Sequence, residues 1–185
     1  MRQRVLDAAV ELIAENGVTH VRYADVADLA GVHRSSLYRN WPEQTSLIRE
    51  AILMTVEQQV PLHDTGDLRA DLVDFLCALS DVFQSTTGRA LARALYAHAT
   101  EPEYSEMVSS VLDSRVTMMR RRLESAVANE SFVSVDPYLF TELVSAPVQM
   151  YASRGYRAFT REVAEDIVSI VLAGVRSTAD DHSVC

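Results

Sequence analysis

Lysine is absent from this chain of 185 residues, and all 17 of its basic side chains are arginine. Any phosphate it holds must be met by guanidinium groups, neutral side chains or backbone amides. Cysteine is nearly absent as well. Cys77 lies inside an apolar helical pattern and Cys185 closes the chain, which excludes a disulfide framework and a zinc spacing. No metal and no cofactor are expected. No uncharged apolar run approaches a membrane span, and the mean hydropathy is +0.00. Met1 to Asn16 carries Asp7, Glu11 and Glu15 among its apolar residues, which does not fit a secretory signal. No membrane partner is expected, and the cytoplasm is the expected location. No segment pairs carboxylates with a histidine on one helix, and no Ser-His-Asp or Cys-His set stands out, so no enzyme is expected. Strand alternation, internal repeats and low-complexity segments are missing too. The fold class expected is all-α.

What is present begins with the stretch Ala24 to Trp41, ADVADLAGVHRSSLYRNW. Two short apolar runs, with Val26, Ala27 and Leu29 before Gly31 and Val32 and Leu37 after it, meet at one glycine with no room for a loop. This predicts a helix-turn-helix, the glycine closing one helix and reversing the chain at low cost. The second helix keeps His33, Arg34, Ser35, Ser36, Tyr38, Arg39 and Asn40 for solvent, donors and acceptors suited to phosphates and base edges. Arg39 is expected on phosphate and Arg34 on guanine. His33 is balanced between a helix cap and a DNA contact, and Tyr38 has plain packing as its alternative.

A net charge of -9 looks wrong for a nucleic-acid binder until its distribution is examined. Residues 1–50 hold six arginines against seven acids, so nearly all of the excess acid lies beyond them. From Gly31 through Pro42 no acid opposes Arg34 or Arg39, and a positive face can coexist with an acidic body.

Taken in order, Arg2 to Asn16 places Leu6, Ala9, Val10 and Ile13 on one helical face and stops at Gly17. No long basic arm is expected ahead of it. Pro42 opens a helix over about 43–60, and Pro61 to Gly66 breaks the chain. Helices are then expected over 67–86, over 89–100 after a break at Thr87 and Gly88, and over 101–129. Asp136-Pro137 starts another, kinked at Pro147 and followed by a loop from Gly155 to Phe159. Thr160 caps the last helix, and a tail begins near Asp180. The domains expected are 1–45 for the helix-turn-helix, 46–180 for a larger helical half and 181–185 for the tail.

Residues 1 to 50 resemble the DNA-binding domain of the tetracycline-repressor (TetR) family of bacterial transcription regulators. The likeness is carried by LDAAVELIAENG, DVADLAGV and SSLYRNWPEQTSLI in that order and spacing. Further along, APVQMYASRGYRAFTREVAEDIV is similar to the family's C-terminal half. The resemblance implies a homodimer that sets the helix around Arg34 to Asn40 of each subunit into successive major grooves of a palindromic duplex operator. Arg22 stands where the family usually has a phosphate-touching threonine, with Tyr23 beside it. His33 stands at a helix start usually held by serine. Ser35 and Ser36 form the small pair that approaches the groove, and Tyr38 matches a near-constant tyrosine expected on phosphate. Arg39-Asn40 replace a frequent His-Tyr pair, Trp41 a frequent phenylalanine, and Gln44 a common phosphate-binding lysine.

The resemblance also implies a cavity for a small-molecule effector in the larger half, with Phe75, Leu79, Tyr96, His98, Val111, Arg115, Met118, Met119 and Gln149 as candidate lining residues. Methionines suit adaptable walls, and Arg115, if buried, needs an anionic partner. The run Arg120-Arg121-Arg122 is expected to be a solvated helix end. Two late helices carry apolar faces too rich for plain surface, Leu143, Pro147, Met150 and Tyr151 on one and Ile167, Ile170, Val171 and Gly174 on the other. These form a candidate dimer interface. The function expected is a ligand-responsive repressor. The competing reading is a ligand- or protein-binding module whose helix-turn-helix is structural only.

Overall fold

The computed structural model describes residues 1–97, 102–130, 132–155 and 157–182, with the side chains of 94–97, 102–104, 107 and 176–182 outside that description. The described residues are helical with no strand. In order they form α1 (Arg2–Asn16), α2 (Tyr23–Ala30), α3 (Arg34–Asn40), α4 (Gln44–Gln59), α5 (Leu68–Gln84), α6 (Thr86–Ala97), α7 (Pro102–Asn129), α8 (Pro137–Arg154) and α9 (Arg161–His182). A 3-10 turn, Val18–His20, joins α1 to α2.

Local chemistry accounts for several of these boundaries. Gly31 takes φ 65° and ψ 45°, the left-handed conformation that ends α2. Asp136 accepts a hydrogen bond from the Leu139 amide at 2.7 Å and Pro137 follows in the first turn, so α8 starts where the sequence predicts. Pro147 lies inside α8, which runs unbroken through it. The expected break at Thr87 and Gly88 falls instead at Ser85, and both residues belong to α6. Gly88 is there for closeness, because a Cβ would lie 1.9 Å from the Val82 carbonyl oxygen. The last helix continues to His182, past the expected start of the tail.

By contact the chain divides into two compact units, Met1–Gln59 with Val82–Ser114, and Val60–Asp81 with Arg115–Cys185. The first unit holds α1 to α4. Its core gathers Val5, Ala9 and Ile13 of α1, Val26 and Ala27 of α2, Leu37 of α3, and Leu47, Ile48 and Ile52 of α4. Leu91 of α6 and Val111 of α7 join the same core. Burial of this apolar set is the main force holding α2 and α3 in place. Leu29, expected in that core, is exposed, and Ala30 takes the inward position.

The second unit packs Leu72, Phe75, Leu76 and Leu79 of α5, Met119, Leu123 and Ala126 of α7, Phe140, Val144 and Val148 of α8, and Ala164 and Val168 of α9, all buried. Arg161 pairs with Asp74, and Arg69 donates to the Ser169 hydroxyl at 2.5 Å. One expectation is overturned here. Arg120 and Arg121 are exposed, but Arg122 is only 3% exposed, 2.7 Å from Asp71 and 2.7 Å from Glu130, with Asp64 at 3.6 Å. Asp71 also accepts from the Thr65 amide and hydroxyl, and Glu130 accepts from the Leu68 amide. The cluster thus ties the residues before α5 to α5 and α7. Burial pushes the Asp71 carboxyl up, but the bonds from Thr65 and Arg122 outweigh it and hold the group below its ordinary value. Among the described residues no helix is long and apolar enough to cross a membrane.

Candidate nucleic-acid interface

The helix-turn-helix forms around Gly31, whose amide faces the Ala27 and Asp28 carbonyls, while the Val32 amide reaches the Ala27 carbonyl at 3.0 Å. Helix α3 starts three residues later and buries one side chain, Leu37. That single anchor leaves the rest of α3 outward. His33, Arg34, Ser35, Tyr38, Arg39 and Asn40 are exposed and Ser36 is half-buried. His33 occupies the N-cap position in extended conformation, yet its side chain makes no cap bond. Its ring is thus left on the polar face.

The remaining groups divide between available and engaged. Tyr38 is 56% exposed, its ring 4.6 Å from that of Tyr23 at a 59° tilt, so it packs on Tyr23 while more than half of it stays open to solvent. Arg34 approaches Asp28 of α2 at 3.7 Å, an acid that the stretch from Gly31 to Pro42 does not contain. Arg22 pairs with Asp25 at 2.9 Å on an exposed edge. Exposed pairs of this kind contribute about 0–1 kcal/mol, so both guanidiniums can be drawn to phosphate. The Asn40 amide turns back to the Ser36 carbonyl at 2.7 Å.

Two of the expected contact residues have their polar ends engaged within the motif, Tyr23 buried and Gln44 half-buried. Tyr23 is buried, and its hydroxyl donates to the Trp41 carbonyl at 2.5 Å. Burial first, then Tyr38 and Glu43 nearby, raise its pKa above the ordinary tyrosine value, so the phenol stays a donor. Gln44 donates its amide to the Val21 carbonyl. Both side chains hold the motif together from within. Trp41 is buried in the core of the helix-turn-helix unit, its indole N–H donating to Glu50 at 2.8 Å. Glu50 also accepts both Arg2 donors at 2.7 Å, and the Arg2 guanidinium lies 5.4 Å from the Trp41 ring centre. Sequence reasoning missed this group, although an aromatic with an N–H inside a core needs an acceptor and Glu50 stands nine residues on.

The other candidate residues distribute as follows. Phe75, Leu79 and Met119 are fully buried, while Arg115, Met118 and Gln149 are half-buried. Val111 belongs to the core that holds the helix-turn-helix. The Tyr96 side chain and His98 lie outside the described residues. On α8, Leu143 and Met150 are exposed, with Pro147 and Tyr151 half-buried. On α9, Ile170 is 72% exposed, Ile167 and Val171 are half-buried and Gly174 is exposed. Cys77 is half-buried and Cys185 lies outside the described residues. No group of three or more metal-ligating side chains occurs among the described residues.

Comparison with known proteins agrees with this geometry. Residues 5–51 match the family model described as bacterial regulatory proteins, tetR family, and residues 62–171 match that of the tetracyclin repressor-like C-terminal domain. The chain is similar to the HTH-type transcriptional regulator AqdR of Rhodococcus erythropolis, 33% identical over 174 residues, which is 94% of this chain and 84% of that protein. Among solved structures it is similar to the TetR family transcription regulator SCO0332, with a TM-score of 0.76 at 25% identity, covering 94% of this chain and 97% of the other. The flavonoid-responsive regulator FrrA shares the fold, with a TM-score of 0.68 at 20% identity, covering 96% and 95% of the two chains.

Proposed function

Because the chain belongs to the TetR family of bacterial transcription regulators, we propose that it acts as a ligand-responsive repressor, binding a palindromic operator as a homodimer and catalysing nothing. The observation that carries this reading is α3 itself, a helix that fully buries only Leu37 and turns a largely polar face outward. In this account Tyr38 and Arg39 contact phosphate, with Arg22 and His33 beside them. Arg34, Ser35 and Ser36 face base edges, and Asn40 does so on release from Ser36. Tyr23 and Gln44 support the helix from inside. DNA contact resides in residues 1–45, effector binding and dimerisation in 46–180, and the site of action is the cytoplasm.

The dimer is proposed through α8 and α9. Leu139, Leu143 and Met150 line one side of α8, and Ile170 stands out from α9. Gly174 offers open space, since a Cβ there would meet nothing within 4 Å. Leaving such large apolar side chains in water is costly, and a two-fold contact between the same helices of two subunits removes the cost. An effector among Arg115, Met118 and Gln149 would then favour a separation of the two α3 helices that no longer matches half-sites about 34–36 Å apart. Distances between spin labels on the two α3 helices, with and without effector, test that step; an unchanged distance together with lost DNA affinity would overturn it.

The DNA reading is tested by salt-dependent binding of an operator duplex and a scrambled control. The wild type should prefer the operator by about 10³-fold or more. Arg39→Ala should bind both more weakly, with a salt slope shallower by about one. Equal weak binding of both duplexes, unchanged in Arg39→Ala, would make the helix-turn-helix structural only.

A further inference from the structure

Helix α3 is tethered at its N-terminal side by the Gly31 turn and along its length by Leu37. What holds its C-terminal end is a separate matter, because α3 has seven residues and two turns of helix do not fix their own direction. The structure places an unusual set of bonds there. The Trp41 amide donates to the Leu37 carbonyl at 2.8 Å, closing α3. The Trp41 carbonyl accepts from Tyr23 of α2, and its indole N–H donates to Glu50 of α4. Glu50 is held in turn from α1, with Arg2 Nε on Oε1 and Arg2 Nη2 on Oε2, the same oxygen that receives the indole proton.

We infer that Glu50 and Arg2 are positioning residues for DNA recognition, setting the pose of α3 through Trp41 without touching DNA. A single carboxylate accepts from two helices' worth of donors and so fixes the end of α3 against α1 and α4 at once. Charge-assisted bonds are the strong ones, and a fork-to-fork arginine pair is directional as well as strong. The Glu50 carboxylate is three-quarters shielded, with 28% of its side chain exposed, so water competes with these bonds only in part. Trp41 is what makes the device work, because its ring fills the core while its N–H reaches the acceptor. Arg2, though basic and exposed, is held by both carboxylate oxygens of Glu50 and by the face of the indole, unlike the singly paired Arg34.

The inference rests on α3 being the DNA-contacting helix, so its test has one arm that needs no DNA. Trp41 is the chain's sole tryptophan, and its emission reports the indole environment directly. In the full-length protein, Arg2→Met and Glu50→Gln should each shift the emission maximum and raise quenching by acrylamide, with the helical content unchanged. Toward operator, each variant should lose about tenfold in affinity, about 1.4 kcal/mol. Affinity for a scrambled duplex and the salt slope should stay at wild-type values, because no phosphate contact has gone. The double variant should be no weaker than the weaker single one, since both act through one bond system. Arg2→Lys, which keeps charge and reach, should recover part of the operator affinity.

Altered emission with unaltered operator affinity would overturn the positioning role. So would a salt slope shallower by about one in Arg2→Met together with tighter binding by Glu50→Gln, because Arg2 would then be a phosphate contact that Glu50 restrains. Unaltered emission in both variants would refute the contact itself. Binding of no duplex by any form, with the emission shifts present, would refute the DNA role of α3 while leaving the Arg2–Glu50–Trp41 contact standing.

Discussion

The side chains that decide what this protein does differ mainly in whether they are already satisfied. Tyr38, Arg39 and Ser35 stay open to solvent on α3, whereas Tyr23 and Gln44, their neighbours in sequence pattern, spend their polar atoms on the Trp41 and Val21 carbonyls. Arg34 lies between these cases, drawn to Asp28 but exposed. Arg34→Ala should relax preference at a single base pair of the half-site by about 1–3 kcal/mol and leave the others unchanged, as read by affinity for a panel of single-base operator variants. Uniform weakening across the panel would make Arg34 a phosphate contact. In the second unit the decisive residue is Arg122, buried against Asp71 and Glu130. Asp71→Asn leaves Glu130 as the remaining close carboxylate of that buried guanidinium and should cost about 1–3 kcal/mol at neutral pH. Asp71 titrates below its ordinary value of 3.8 in the folded chain, so its contribution is complete above that pH and is lost as pH falls through the folded value. The stability gap between wild type and Asp71→Asn should therefore narrow in acid, and a gap independent of pH in denaturant titrations would contradict this account.

At the scale of the element, helix ends prove more readable than helix environments. Gly31 and Asp136 mark their boundaries by local chemistry, a left-handed residue in one case and a side-chain cap in the other. Gly31→Ala forces an alanine to φ 65° and should destabilise by about 1–2 kcal/mol. Asp136→Ala removes the bond to the Leu139 amide and should cost about 1 kcal/mol. Both are read as lowered Tm, by about 2–4 °C for each kcal/mol at this chain length. A Gly31→Ala protein as stable as wild type would remove the left-handed turn from the explanation. Where the sequence misleads, the cause is non-local. Thr87 and Gly88 look like a breaker pair, but Gly88 is needed so that α6 can approach the Val82 carbonyl. Arg122 looks solvated within Arg120-Arg121-Arg122, although it continues the stripe of Val111, Arg115, Met119 and Ala126 at helical spacing. That periodicity was the available signal for its burial. Its partners Asp64, Asp71 and Glu130 come from three other places in the chain, and no local pattern announces them. The outward face of α3 was legible because one anchor in seven residues leaves little doubt about which side is out, whereas the engagement of Tyr23 and Gln44 depends on carbonyls 18 and 23 residues away.

For the whole molecule, the exposed apolar residues of α8 and α9 and the polar face of α3 belong to one functional statement. A seven-residue helix reads few base pairs, and two linked copies would bind far more tightly than either alone. Ile170→Asp places a charge at the most exposed of these apolar positions and should yield a folded monomer in sedimentation, with operator affinity reduced about 100-fold or more. A dimer of unchanged stability in that variant would move the interface elsewhere. Acidic charge on the larger half is compatible with DNA binding in the same way, since only the α3 faces of the proposed dimer need to approach phosphate. The measurement that bears most directly on the central claim is selection of random duplex DNA on the purified protein. The account predicts enrichment of an inverted repeat whose half-sites are about one helical turn apart, or a small multiple of it. Enrichment of no sequence by a protein shown to be folded and dimeric would contradict it.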